Sequence, residues 1–531
     1  MMNRRHWLCA GTAIGLQGLT AAWGAAVPGL ATPLSAEERA LHALNRLAFG
    51  PRPSDAAAIR RQGAGPWLDE FLTAQLNPAS IAVPAAMTAR LAGWDTLTLS
   101  QAALLGRYRE ATQANRIAKR EVAREMAMDG AKQDPAKSSR STENARRELI
   151  RPVVVQASSQ RLLRALEAPG QLEEVLVDFW FNHFNVFAGK GQVSVLVGSY
   201  EREAIRPHVL GSFRTMLGAT AKHPAMLIYL DNAQSVAPGY SPPARLATPN
   251  PNRPTGLNEN YARELMELHT LGVDGGYSQR DVTELARMLT GWTVDYRALQ
   301  RSPQMPDGDS MFVFDPRRHD SGPKQWLGRT VRPDGQAEGE MALDVLAAHP
   351  ATARRLSFKL AQAFVADQPP PTLVDKLASS FLASKGDLKA VMQTLLSSDE
   401  FWRREAYGAK FKTPYQYLLS SLRAIDAPAP AEFQQMIGLL AQAGMALYGA
   451  QTPDGYKNTA SAWMNAEALA QRIQLANMLG ERRQRRPGAG SDEMLATLGP
   501  LISPATRQTV AAEPAAMQTA LLLGSPDFMR R

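Results

Sequence analysis

Eleven consecutive residues, 259–269, contain three glutamates, one arginine and one histidine. On a helix that turns about 100° per residue, Glu264 and Glu267 lie on one side and His269 points to nearly the opposite side. The apolar residues between them indicate that this helix is internal. Because an unpaired buried charge is very costly, the carboxylates need partners, which are either arginines or a metal ion.

Part of this charge can be neutralised within the helix. Glu259 and Arg263 are four residues apart, and so are Arg263 and Glu267, which is the spacing of helical ion pairs. Glu264 has no cation four residues away on either side. We therefore predict that Glu264 is a functional carboxylate.

His183 lies at the end of an apolar stripe that runs along residues 172–179 of a predicted helix. A histidine on that face is expected to be buried. It is either a core imidazole with both nitrogens hydrogen-bonded, for which Asn182 or Asn185 could be partners, or a ligand or acid–base group.

A turn at residues 275–278 leads into a further helix, in which Ser278 and Asp281 fit a capping box. Glu284 lies in the middle of this helix and three residues before Arg287. Two helices joined by a short connection tend to pack antiparallel. Glu264 or Glu267 could then face Glu284.

A polar loop at residues 315–324 places His319 directly before Asp320. A loop histidine is often merely exposed, but this composition also suits a metal ligand or a catalytic acid–base group. Both interpretations stay open at this point.

The leading hypothesis from these motifs is a pocket lined by histidine, glutamate and aspartate in an enzyme of unknown activity. Its predicted catalytic residues are Glu264, His183, His319 and Asp320. A divalent transition metal could be held there by carboxylate and imidazole groups and activate water or oxygen, with His183, Glu264, Glu267 and Glu284 as ligands. The alternative is a non-catalytic scaffold or maturation partner, in which the same charges form a structural ion-pair network.

Known catalytic signatures do not decide between these hypotheses. The sequence has no His-Glu-x-x-His, no phosphate-binding glycine loop, no Gly-x-Ser-x-Gly, and no Glu-x-x-His at the site. Its only cysteine, Cys9, lies within the predicted signal, so the mature chain has no disulfide, and a c-type haem is excluded.

The elements that position these motifs are predicted to be mainly α-helical. We expect one large multi-helix body with long loops rich in proline and glycine and at most a small β-hairpin. The hairpin would join a strand at residues 311–314 to residues 325–327. Ser35 and Glu38 form a capping box at the start of the first predicted helix of the mature chain.

Six segments are predicted along the 531 residues. They are a twin-arginine signal peptide (1–26), an N-terminal helical region (27–105), charged solvated helices and a loop (106–152), a central helical core with the site (153–295), an irregular loop with the hairpin (296–335) and a C-terminal helical region (336–531).

The N-terminal sequence and the net charge of the chain limit where the protein can be located and which partners it can have. Arg4 and Arg5 precede a short, mildly apolar run and small residues at 24–26, which predicts twin-arginine export to the periplasm or outside the cell, with no transmembrane anchor in the mature chain. The net charge of +9 falls to +7 without those two arginines. Over this length such an excess, without interleaved aromatic residues, argues against nucleic acid as a partner.

Five ordered motifs together resemble a large, uncharacterised bacterial family catalogued as domain of unknown function 1800. They are residues 42–51, 179–183, 258–272, 289–292 and 319–324. The resemblance runs from about residue 37 to beyond residue 480. It implies an exported protein, often encoded beside sulfatase-like proteins that use the twin-arginine pathway, which suggests such a protein as a partner. It also implies that the Glu259 helix, His183 and the His319 loop are family signatures.

Overall fold

The computed structural model describes residues 32–129, 135–241, 256–301, 310–485 and 491–531. The signal peptide predicted at 1–26 lies outside the described residues. So do residues 242–255 of the proline-rich loop and residues 302–309 of the irregular segment.

Helices make up most of the described chain, which confirms a mainly α fold. The capping box at Ser35 and Glu38 starts the first of them, as predicted. In the first half the α-helices are Ala36–Leu47, Pro53–Gln62, Ala64–Gln75, Ala85–Ala92, Gln101–Asp129, Pro135–Glu167, Gln171–His183, Val193–Tyr200, Phe213–Lys222, Pro224–Tyr229 and Asn260–Glu264. In the second half they are Gln279–Met288, Ala298–Arg301, Gln336–Ala347, Pro350–Phe364, Pro371–Ala383, Leu388–Ser397, Asp399–Trp402, Pro414–Ala424, Gln434–Gln442, Ala460–Trp463, Ala466–Gln484, Ser491–Leu498, Pro504–Ala511 and Ala515–Gly524.

Two small antiparallel sheets replace the single predicted hairpin. Strand β1 (Trp292–Val294) pairs with β2 (Phe312–Phe314), and β3 (Lys324–Trp326) pairs with β4 (Arg329–Val331). The predicted strand at 311–314 is confirmed, but its predicted pairing with residues 325–327 is wrong. Residues 327 and 328, both with positive φ, turn β3 directly back onto β4 and leave β2 to pair with the strand before it.

Buried apolar side chains from both halves of the chain form one continuous core. Trp180 and Phe184, at the end of the helix Gln171–His183, are completely buried within it. This helix therefore holds His183, itself buried, against the core. No described helix is long and apolar enough to cross a membrane.

Candidate functional site

A cavity of about 270 Å³ lies beside His183. One wall is the helix Gln171–His183, the opposite wall is the helix Pro350–Phe364, and the loop at residues 454–458 closes a third side. Eight side chains with titratable groups line it: Asp178, His183, Arg355, Lys359, Asp454, Tyr456, Lys457 and Arg531.

The loop at 454–458 is fixed to the end of the His183 helix. The Asn182 side chain accepts a hydrogen bond from the backbone N–H of Tyr456 over 2.7 Å and donates to its carbonyl over 2.8 Å. Gly455 has φ +69°, and a Cβ there would collide with Asn182. Only glycine allows this close approach at such a dihedral angle, so the loop residues meet the helix in a defined geometry.

His183 is buried, and both of its ring nitrogens have hydrogen-bond partners. Nε2 lies 3.1 Å from the carbonyl oxygen of His269, which can only accept, so Nε2 carries the proton. Nδ1 must then accept, and it does so from the Nζ of Lys359 over 3.0 Å. Burial, followed by the nearby charge of Lys359, holds the pKa of His183 well below its usual value. The imidazole is therefore neutral.

The predicted partners of His183 were Asn182 or Asn185, and this was wrong. The amide of Asn182 is committed to Tyr456, and that of Asn185 donates to the carbonyls of Ala450 and Thr452. Both amides bind a loop about 270 residues away along the chain. A partner this distant in sequence leaves no mark on local spacing.

Lys359 is a lysine of this cavity whose pKa is strongly lowered. Burial, and then the neighbouring guanidinium of Arg355, lower the pKa of its amine to about 7. Burial disfavours the charged form, and a like charge adds to that effect. The amine of Lys359 is therefore far easier to deprotonate than an ordinary lysine, and its uncharged form keeps a lone pair while it donates one N–H to His183.

The 259–269 segment begins as the α-helix Asn260–Glu264 and widens into a π-helical turn, Leu265–His269. The predicted local ion pairs are confirmed: Arg263 lies 3.2 Å from Glu259 and 3.7 Å from Glu267. Glu264 is half-buried, and burial followed by the charge of Glu267 raises its pKa. Among the described residues it makes no ion pair, as its spacing suggested.

The helix Gln279–Met288 begins with the predicted capping box of Ser278 and Asp281. It packs against the Glu259 segment, but Glu259 makes the contact, accepting a hydrogen bond from the hydroxyl of Thr283 over 2.6 Å. The suggestion that Glu264 or Glu267 faces Glu284 is therefore not what the packing produces.

Glu284 and Asp320 share a single cation. The guanidinium of Arg287 lies 2.8 Å from Glu284 and 2.7 Å from Asp320. Burial opposes ionisation of Asp320, but the hydrogen bonds from Arg287 and the backbone of Gly322, together with the charges of Arg287 and Lys324, hold its pKa below the usual value. These two predicted site residues thus tie the His319 loop to the helix.

His319 is buried, although loop histidines are commonly exposed. Its Nδ1 lies 2.8 Å from the carbonyl of Thr290, and its Nε2 lies 3.1 Å from Glu338. The ammonium of Lys324, which has no exposed surface, lies 2.6 Å from the same carboxylate. Burial raises the pKa of Glu338, yet the hydrogen bonds from His319 and Lys324 lower it overall.

The predicted site residues fall into two environments, because the 259–269 segment borders the cavity: Leu268 lines it, and Glu264 and Glu267 interact electrostatically with the cavity side chains Asp454 and Arg355. His183, Glu264 and Glu267 thus lie on or beside the cavity, and Glu284, His319 and Asp320 anchor the 315–324 loop. In the described part of the chain no group of three histidine, cysteine, aspartate or glutamate side chains could hold a metal ion. The metal ligand set His183, Glu264, Glu267 and Glu284 stays a prediction.

A second set of buried charges surrounds the back of the His183 helix. Arg161 lies 2.5 Å from Asp178 and 3.4 Å from Glu201, and Arg206 bridges Glu201 and Glu174. The cavity carboxylate of Asp178 is thus neutralised from behind the wall. This network has the structural role that the scaffold hypothesis assigns to buried charges.

The sequence analysis missed Lys359, Arg355 and Glu338. The one available signal was the like-charged pair Arg355 and Lys359, four residues apart on a helix and hence mutually repulsive. Glu338 looks like an ordinary helix-start carboxylate, since it lies in the first turn of Gln336–Ala347.

The comparisons with known proteins give a family and no relative of known activity. No curated protein and no solved structure matches the chain. The family described as "Protein of unknown function (DUF1800)" matches residues 42–530, which is nearly the whole chain and includes every residue of the cavity except Arg531. This protein therefore belongs to the DUF1800 family.

Proposed function

We propose that this protein is an enzyme that uses the amine of Lys359 as a nucleophile toward a small carbonyl compound. The observation that carries the proposal is the placement of this amine at the wall of a cavity, against a buried neutral imidazole. Lysines that are desolvated and lie beside another cation are activated in this way and form Schiff bases.

The immediate neighbours of Lys359 support this role. His183 accepts one N–H of the amine and is itself fixed by the His269 carbonyl, so it orients the Lys359 lone pair. Arg355, one helical turn away, keeps part of the amine uncharged. His183 is a positioning residue here, and Lys359 is the reacting group.

The proposed step is a balanced condensation. The lone pair of Lys359 Nζ forms a bond to the carbonyl carbon, and the carbonyl π electrons move to its oxygen. The two amine protons leave with that oxygen as water, and a carbon–nitrogen double bond remains. The cavity of about 270 Å³ has room for a compound of a few carbon atoms.

Reductive trapping tests the proposal. The purified full-length protein is incubated at pH 7 with glycolaldehyde or pyruvate and sodium borohydride, and the labelled peptides are mapped by mass spectrometry. We expect Lys359 to be labelled before the surface lysines, because their amines are protonated at this pH. Labelling spread over surface lysines with Lys359 unmodified would refute the proposal.

Two variants control the trapping experiment. Lys359→Met removes the amine with little change in side-chain length and should abolish the fast label. Lys457→Met removes another lysine that lines the same cavity but is mostly solvent-exposed and paired with Asp454. It should keep the label on Lys359.

Export to the periplasm or cell exterior, a divalent metal and a co-encoded sulfatase-like partner stay separate predictions. No step of the proposed reaction passes through a metal. The scaffold hypothesis remains the second candidate, and the buried Arg161 and Arg206 network is the observation that favours it.

A further inference from the structure

The charges of the cavity do not cancel. Four cationic side chains line it, Arg355, Lys359, Lys457 and Arg531, against the two carboxylates Asp178 and Asp454. Asp454 lies 2.5 Å from Lys457, and Asp178 lies 2.5 Å from Arg161, which is outside the cavity lining. Arg531 still interacts electrostatically with Asp178, whereas Arg355 is left without a carboxylate partner from the cavity wall.

Arg355 and Lys359 share one face of the helix Pro350–Phe364, and Arg355 has the weaker hydrogen bonding of the two. It is half-buried, and its Nε donates to the Leu268 carbonyl over a long 3.4 Å. Within the described part of the chain no carboxylate forms an ion pair with it. Glu267 and the phenol of Tyr277 interact with it electrostatically over a longer distance. A guanidinium has five N–H donors, and among the described residues the hydrogen-bond acceptor of this one is the Leu268 carbonyl.

Arg531 shows the same shortage at the other arginine of the cavity. One of its terminal nitrogens donates to the carbonyl of Ala363 over 2.9 Å, but its Nε is buried and has no hydrogen-bond partner. A buried donor without an acceptor costs free energy. Because this Nε has no accessible surface, Arg355 is the guanidinium that an anionic ligand in the cavity could meet.

The backbone makes room for Arg355. Gly272 has φ +91°, and a Cβ at this position would lie 3.0 Å from the Nη1 of Arg355 and 3.3 Å from its Cδ. Glycine at 272 therefore serves two needs, the left-handed backbone and the space that the guanidinium occupies. The same segment, residues 258–272, carries one of the five motifs of the chain.

We propose that Arg355 binds a carboxylate or phosphate group of the carbonyl compound, so that the substrate is a small anionic aldehyde or ketone. This inference rests on the proposed role of Lys359. Guanidinium groups pair with both oxyanions through two parallel hydrogen bonds. With Arg355 one helical turn from Lys359, the anionic group and the reacting carbonyl would belong to one short molecule.

Matched probes test the inference. Pyruvate is compared with methyl pyruvate, its uncharged ester, and glycolaldehyde phosphate with glycolaldehyde, in the borohydride assay on the full-length protein. We expect each anionic probe to label Lys359 faster than its neutral counterpart. The better of the two anionic probes then identifies carboxylate or phosphate as the bound group.

Arg355→Gln should reduce the ratio of anionic to neutral labelling by roughly 10–100-fold, the usual effect of losing a charge-assisted pair. The ratio is the readout because the loss of Arg355 also changes the pKa of Lys359, which affects both probes of a pair equally. Arg354→Gln is the matched control: Arg354 is the preceding residue, exposed and paired with Asp375. It should leave the ratio unchanged.

Ligand stabilisation separates this inference from the proposed function. We expect pyruvate or glycolaldehyde phosphate to raise the melting temperature of the wild type but not of Arg355→Gln. Stabilisation without any trapping would refute the Schiff base and keep the anion site. A labelling ratio that Arg355→Gln does not change, or no stabilisation by either anion, would overturn the anion site.

Discussion

The titration of Lys359 can be read from the stability of the protein. We compare the free energy of unfolding of Lys359→Met with that of the wild type. We expect the difference to favour the variant more at pH 6 than at pH 9. In the folded protein the amine loses its proton near pH 7, whereas in the unfolded chain it does so near its usual value of 10.5. Between these values the unfolded state binds more protons, so the free energy of unfolding of the wild type rises with pH.

The size of the effect follows from that window. Each pH unit in which the two states differ by one proton changes the free energy of unfolding by about 1.4 kcal/mol. Between pH 6 and pH 9 only the two units above 7 count fully, which gives about 3 kcal/mol for the wild type. Solvent that reaches the cavity reduces this to about 1–2 kcal/mol. The methionine variant lacks this rise.

Thermal melts of wild type and Lys359→Met at pH 6 and pH 9 measure the difference. A chain of this length unfolds with an entropy of about 1 kcal/mol per degree, so the expected change in relative melting temperature is about 1–2 °C. Lys457→Met, from the same cavity, should show no such dependence on pH. A constant offset between wild type and Lys359→Met at both pH values would refute a titration of Lys359 near neutrality.

Three further expectations concern the other charged motifs. Arg287→Ala leaves Glu284 and Asp320 without their shared cation and should lower the free energy of unfolding by about 2 kcal/mol at pH 7. Denaturation at pH 3 should show a smaller loss. The pKa of Asp320 is lowered in the folded protein, so its carboxylate stabilises the fold above its usual pKa and loses this effect as the pH falls. Glu264→Gln should raise the melting temperature slightly at pH 7 and leave it unchanged at pH 4, since the raised pKa of Glu264 means that its charged form destabilises the fold. Elemental analysis of the purified exported protein tests the predicted divalent metal, and near-zero transition metal would contradict that prediction.

The helices were predictable because their signals are local. The capping boxes at Ser35 and Ser278 depend on residues three positions apart, and both form as expected. The prediction of the strand pairing was wrong because the partner of β2 depends on which other strand lies beside it in the fold. A two-residue turn with positive φ at 327 and 328 joins β3 to β4. The spacing of residues did not show that β2 pairs with β1, the strand before it.

The same distinction explains why the sequence singled out Glu264 and passed over Lys359. A carboxylate without a cation four residues away can be found on a helix by counting, and Glu264 does lack an ion pair in the described structure. Burial and Arg355 lower the pKa of Lys359, and its amine donates to a histidine 176 residues earlier in the sequence, inside a cavity. His319 likewise acquires its buried partners from residue 338, through a helix that follows the loop. Local charge patterns therefore predict which groups lack a partner on their own helix. A strongly shifted pKa, in contrast, results when helices that are distant in sequence bury a group between them, as they bury Lys359.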